Sequence, residues 1–177
     1  MDLIILPGNS PGNKPWTRDL IGEFSKEFQR VSIVEYESWL TNDFKKIIDL
    51  DMEMKKVKEL VSNMSDYCVF AKSVGTALCM KAVAEKVINP RKCMFVGIPL
   101  EWLATNNILI NNLVKNYHIP TMVVQQKNDP FGNAKIVREF LSSIDSTTSY
   151  SVIEGNDHKY SDLAPLVSES ISFFRKN

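Results

Sequence analysis

Apolar and polar positions along the chain alternate between two periods. Short apolar or β-branched runs occur at residues 3–6, 31–35, 67–71, 93–96, 121–126 and 149–153, which predicts six strands. Between them, apolar residues recur at helical spacing over 16–28, 52–64, 76–87, 107–116 and 134–144, and a last such segment, 163–175, follows the sixth strand. Each predicted strand is therefore followed by a helix. Regular alternation of this kind implies parallel strands covered by helices on both faces, and several of the runs are continuously apolar, as doubly covered strands require. The expected fold is α/β, a three-layer, doubly wound, mostly parallel six-stranded sheet. Residues 36–50 carry no clear period and are expected to form a loop or short helix near the ligand crevice.

Length and composition fit that picture. A chain of 177 residues is expected to form a single domain spanning 1–177. Its 44% hydrophobic and 24% charged content is that of an ordinary globular core and surface. Lys and Arg number 21, as do Asp and Glu, so the chain offers no overall field to steer it to nucleic acid or an anionic membrane. The apolar run at the start is short and lacks a basic leader, and no stretch nears the roughly 18 apolar residues of a membrane span. A cytoplasmic protein acting on small molecules is expected. Cys68, Cys79 and Cys93 lie in apolar settings without metal-binding spacing, so they read as buried reduced thiols, and no metal or organic cofactor is expected. Cys68 within a strand and Cys79 within a helix lack the electropositive setting that activates a thiolate.

Doubly wound sheets bind ligands beyond the carboxyl ends of their strands, so the chemistry is sought in the loops that follow. After the third predicted strand comes Ala71-Lys72-Ser73-Val74-Gly75, a serine between small residues at a strand-to-helix junction. Read alone, such a serine is equally an N-cap whose hydroxyl satisfies a free helix N–H. The pentapeptide resembles the nucleophile elbow of α/β hydrolases, G-x-S-x-G, with Ala71 in place of the first glycine.

The resemblance implies an acid and a histidine later in the chain, in that order. Asp129, in the turn Lys127-Asn128-Asp129-Pro130 after the fifth strand, stands where the family places its acid; by itself it reads as a turn residue. His158 follows the sixth strand, where the family places its base, whereas His118 sits at the amino end of the fifth strand and reads as a surface residue. Asp157 is expected to shape the loop. An oxyanion hole needs two backbone N–H donors, expected from Val74 and from Asn9 in the loop Pro7-Gly8-Asn9-Ser10-Pro11-Gly12-Asn13, with Ser10 the second choice. The phosphate-cradling motifs G-x-G-x-x-G and G-x-x-x-x-G-K-[ST] do not occur in that loop.

The Pro7-Gly8-Asn9 start, the short length without a lid insertion and the order Ser73, Asp129, His158 resemble the small serine hydrolases related to retinoblastoma-binding protein nine. This implies a minimal α/β-hydrolase fold and hydrolysis of a small carboxylic ester or thioester through an acyl-enzyme, with a preference for short or soluble acyl groups. Ser10 and Trp102 are expected to contact substrate, although Trp102 serves plain packing equally well. Lys72 is expected to point to solvent. The competing reading is a weakly active or inactive member of the fold that serves as a binding or scaffold protein; amide hydrolysis and acyl transfer are further options for the same residues.

Overall fold

The computed structural model describes residues 1–44, 47–114, 116–142 and 148–176. Six strands form one wholly parallel sheet: β1 (Asp2–Leu6), β2 (Val31–Ile33), β3 (Tyr67–Lys72), β4 (Cys93–Val96), β5 (Thr121–Gln126) and β6 (Thr148–Ile153). Their order is β2-β1-β3-β4-β5-β6. The chain winds outward from β1 to β2, then returns to place β3 on the other side of β1. The switch between β1 and β3 opens a crevice at their carboxyl ends.

Every residue of β3 and β4 is buried, as befits strands with neighbours on both sides and helices above and below. Side chains alternate between two cores. Ile4, Leu6, Val69, Ala71, Phe95 and Val123 face one, and Leu3, Ile5, Cys68, Phe70, Met94 and Val96 face the other. The first core is closed by α2 (Glu37–Thr41), α3 (Leu50–Val61), α4 (Val74–Ala84), α5 (Leu100–Thr105), α6 (Ile110–Val114) and α7 (Ala134–Leu141). The second is closed by α1 (Asn13–Phe24) and α8 (Leu163–Arg175), through Leu20, Phe24, Leu166 and Phe174. Among these helices α4 is apolar all round and buried from Val74 to Met80, so it lies inside the first core rather than on its surface.

Local chemistry sets the helix starts. Asp49 Oδ1 accepts from the N–H groups of Asp51 and Met52 ahead of α3, and Asn133 Oδ1 accepts from Ile136 ahead of α7. The expected helix over 107–116 is corrected: α5 already begins at Leu100, after Pro99, and Asn107 adopts a left-handed φ of 57° just past its end. A separate short helix, α6, follows; residue 115 lies outside the described residues, as do 143 and 144 of the segment expected to extend α7. Helix α1 begins at Asn13 and ends at Phe24, ahead of the 16–28 expected, because the apolar period does not register the polar first turn Asn13-Lys14-Pro15. In 36–50 a five-residue helix, α2, is present, and its Trp39 Nε1 donates to the Asn9 carbonyl at 3.0 Å.

Candidate active site

Ser73 follows the last residue of β3 and precedes the first of α4, with φ 54° and ψ −129°. A side-chain-bearing residue rarely holds this backbone, and the surroundings enforce it. The Ser73 N–H donates to the Val96 carbonyl at 2.9 Å, and its own carbonyl accepts from Thr76 N–H and Thr76 Oγ1. At Gly75 a Cβ would stand 2.0 Å from the Leu6 carbonyl oxygen and 2.8 Å from that of Pro7, so α4 packs directly onto the backbone leaving β1. Ala71, one strand position before Lys72, is completely buried between Leu6 and Phe95. Small residues on either side of the serine therefore answer a steric demand.

The Ser73 hydroxyl makes no capping bond to α4. It lies 2.8 Å from His158 Nε2. On the other side of the ring, His158 Nδ1 is 2.7 Å from Asp129 Oδ2 and 2.9 Å from Oδ1. An ionised carboxylate only accepts, so Nδ1 carries the proton and Nε2 is left to accept from Ser73. The geometry thus selects one tautomer. Asp129 is 2% exposed, and its charge is met by further donors: Phe131 N–H to Oδ1, and the Tyr160 hydroxyl and Gln125 Nε2 to Oδ2 at 2.6 and 3.2 Å. Burial and the adjacent Asp129 charge push the Tyr160 phenol far above its usual range, so it stays a donor.

His158 also needs its backbone held. Gln126, the last residue of β5, accepts through Oε1 from the N–H groups of Asp157 and His158 and donates through Nε2 to Asp157 Oδ1. Both His158 and Tyr160 have positive φ, 58° and 55°, giving the loop the tight path that returns both side chains to Asp129. Phe131 stands edge-on to the imidazole, with centroids 4.8 Å apart. Exposed Asp157 accepts through Oδ1 from the Lys159 N–H and from Gln126 Nε2, which ties it into this loop. Exposed His118 places Nδ1 3.0 Å from the Asn116 carbonyl, away from this site.

These groups border a cavity of about 630 Å³ whose walls include Asn9, Ser10, Val74, Trp102 and Phe131. The expected contacts Ser10 and Trp102 therefore do reach the space beside Ser73. Among the described residues, the backbone N–H groups of Asn9 and Val74 donate to no protein acceptor. Val74 also supplies the first N–H of α4, where the helix dipole favours negative charge.

Lys72 corrects an expectation. Its side chain is 4% exposed, with Nζ 2.7 Å from Asn13 Oδ1 and 4.9 Å from the centre of the Trp16 ring. Residues 68, 70 and 72 share a face of β3, and α1 and α8 cover that face, so the lysine is largely buried and meets the cavity beside Ser73 only at its edge. Burial lowers its ammonium to about 8, against the opposing pull of Asp129 and Asp157. The cysteines are buried and free, and burial raises the Cys68 thiol to about 12. Among the described residues no cluster of three or more His, Cys, Asp or Glu could hold a metal ion, and no helix is long and apolar enough to cross a membrane.

Tyr160, Gln125 and Gln126 escape the sequence reading. A tyrosine in a loop gives no indication of where its hydroxyl points. The paired glutamines did carry a signal, because two amides ending an otherwise apolar central strand must find buried partners.

A parallel sheet of this order, with a strained serine between β3 and α4 and an acid and histidine beyond β5 and β6, defines the α/β-hydrolase class. The chain belongs to the alpha/beta hydrolase domain family, whose model matches residues 41–169. No curated protein matches it by sequence. Its fold is similar to that of a structure of the metagenome-derived lipolytic enzymes LipS and LipT, with a TM-score of 0.77 and 12% identity over 99% of this chain and 94% of that one. The ydeN gene product from B. subtilis covers 99% of both chains at 14% identity, with a TM-score of 0.69. Alpha/beta hydrolase domain-containing protein 10 from mouse gives 0.74 at 10% identity over 98% and 87%.

Proposed function

We propose that the protein is a serine hydrolase that cleaves a small carboxylic ester or thioester, with Ser73 as nucleophile, His158 as general base and acid, and Asp129 as the carboxylate that orients and charges the imidazole. The observation that carries this reading is the continuous chain from Ser73 Oγ through His158 to Asp129, at 2.8 and 2.7 Å, with the serine held in a backbone conformation that favours exposure of its hydroxyl over capping.

Ser73 Oγ attacks the acyl carbon as its proton passes to His158 Nε2. The carbonyl oxygen becomes an oxyanion that accepts from the N–H groups of Asn9 and Val74, donors of a kind each contributing roughly 3 kcal/mol to such steps. Collapse expels the alkoxide or thiolate, which takes the proton back from His158 and leaves an acyl group on Ser73. Water then repeats the sequence: His158 removes its proton, the acyl–Ser73 bond breaks, and the serine recovers its hydrogen. The Asp129 carboxylate stabilises the imidazolium in both halves, and its surrounding donors hold it in place without exposing it.

A fluorophosphonate probe tests this reading, since it phosphonylates only an activated serine. The wild-type protein should label and Ser73→Ala should not. Equal labelling of the two, or none of either, would remove Ser73 from the chemistry and favour a binding role for the fold.

A further inference from the structure

The side chain preceding Ser73 does more than fill space. Lys72 Nζ donates to Asn13 Oδ1, and the other end of the same amide, Asn13 Nδ2, donates to Ser10 Oγ at 2.7 Å. Lys72 and Asn13 are 4% and 7% exposed, so the chain of bonds is shielded from water for most of its length. Gly8 is moulded around it: a Cβ there would stand 2.5 Å from Asn13 Nδ2. No carboxylate lies within ion-pair distance of Lys72 among the described residues. A buried ammonium thus faces one amide oxygen and the rings of Trp16 and Tyr160, where an aliphatic chain would pack at lower desolvation cost.

We propose that Lys72 is the positioning residue of the oxyanion loop: through Asn13 and Ser10, its ammonium holds residues 8–13 against the end of β3, and so fixes the Asn9 N–H relative to Ser73. The inference rests on the serine-hydrolase reading. From the opposite side the loop is held by Trp39 and Ser38, both of which donate to the Asn9 carbonyl. Without the bond to Lys72 it is anchored on one flank only. Because Lys72 and Ser73 are consecutive, the anchor and the nucleophile share one rigid strand end.

The anchor is strongest while the amine is charged, since charge-assisted bonds are about twice as strong as neutral ones. The ammonium held at about 8 therefore makes loop order fall as pH rises past that value. The groups facing it are Asp129 beyond β5, Asp157 and the Tyr160 phenol beyond β6, and, around the same cavity, Asp19 of α1, His158 and Lys159. The two named carboxylates favour the charged form, and the phenol stays neutral throughout this range.

The test combines amide hydrogen exchange, corrected for intrinsic rates, with steady-state hydrolysis of p-nitrophenyl acetate between pH 6 and 10. In the wild type, protection of the loop's bonded amide, Asn13 N–H to the Ser10 carbonyl, should fall several-fold between pH 7 and 9.5, with kcat falling in parallel. Lys72→Met should expose the loop at every pH and keep β3 and α4 protected. It should also lower kcat about tenfold to a hundredfold at neutral pH, with KM nearly unchanged and the alkaline limb gone. Asn13→Ala, which cuts the same chain of bonds with the lysine intact, should reproduce the loss of protection and of kcat. Wild-type loop protection and an unchanged pH profile in both variants would overturn the role of Lys72 alone. A wild-type protein that neither turns over nor takes a fluorophosphonate label would overturn the hydrolase reading beneath it.

Discussion

The Tyr160 hydroxyl donates to Asp129 Oδ2 at 2.6 Å, on the same oxygen that meets His158 Nδ1 at 2.7 Å. Two residues apart in one loop, the tyrosine and the histidine close on one carboxylate, and the tyrosine oxygen also accepts from the Gln126 N–H. The phenol therefore links the end of β5 to the loop that carries the imidazole. Tyr160→Phe should cost roughly 1.5–3 kcal/mol of stability, the range for a buried bond to a charged group, as read by urea unfolding. Its kinetic effect should fall on kcat rather than KM, because the hydroxyl touches Asp129 and not the cavity. A variant with wild-type kcat would show that Gln125, Phe131 and His158 suffice to hold the carboxylate.

Gly75 packs against main-chain atoms that cannot rotate aside. Gly75→Ala should destabilise the protein by at least about 3 kcal/mol, the upper part of the usual range for overpacking, and lower Tm by roughly 6–12 °C. Calorimetry reads this directly, and fluorophosphonate labelling of the folded fraction should fall with it. An unshifted Tm would mean that α4 can lift off β1 at little cost.

Lys72 leaves a thermodynamic signature distinct from its proposed kinetic one. Its folded-state amine is lowered from an ordinary 10.5 to about 8, so between those values the unfolded chain binds a proton that the folded chain does not. Below pH 8 the full penalty for the buried charge is present, on the order of 3 kcal/mol, and it disappears as pH rises to about 10.5. The stability of Lys72→Met relative to wild type should therefore drop by about 3 kcal/mol between pH 7 and pH 10.5. Comparing the two proteins cancels the tyrosines and cysteines, which titrate in both. A pH-independent difference would contradict a buried, charged lysine at neutral pH.

The cavity beside Ser73 holds about 630 Å³ and no inserted lid covers it among the described residues. Across p-nitrophenyl esters of graded length, kcat/KM should peak at acetate to hexanoate and fall by at least tenfold at palmitate. A steady rise to palmitate would point instead to a longer binding path.

The sheet was legible because strands buried on both faces are written as apolar runs, and Ser73 because a tight turn excludes bulk on either side of it. Asp129 and His158 could be placed only through their order along the chain, since a turn aspartate and a loop histidine carry no direction of their own. Lys72 was misjudged for a physical reason that the sequence also held. Treated as a lone charge it belongs in water, but the alternation of β3 puts it on the same face as Cys68 and Phe70, under α1 and α8. Of the helix expected over 107–116 only α6 is present, because asparagines that resemble a polar helical face include, at Asn107, the left-handed residue that follows the end of α5.

Ser73 and the loop that carries both His158 and Tyr160 lie far apart in chain order. During synthesis the serine turn and its helix emerge well before the imidazole that would activate it. A nascent or truncated chain ending before β6 carries Ser73 without His158. On the serine-hydrolase reading proposed above, the site stays incomplete until the loop after β6, the last strand in chain order, is in place.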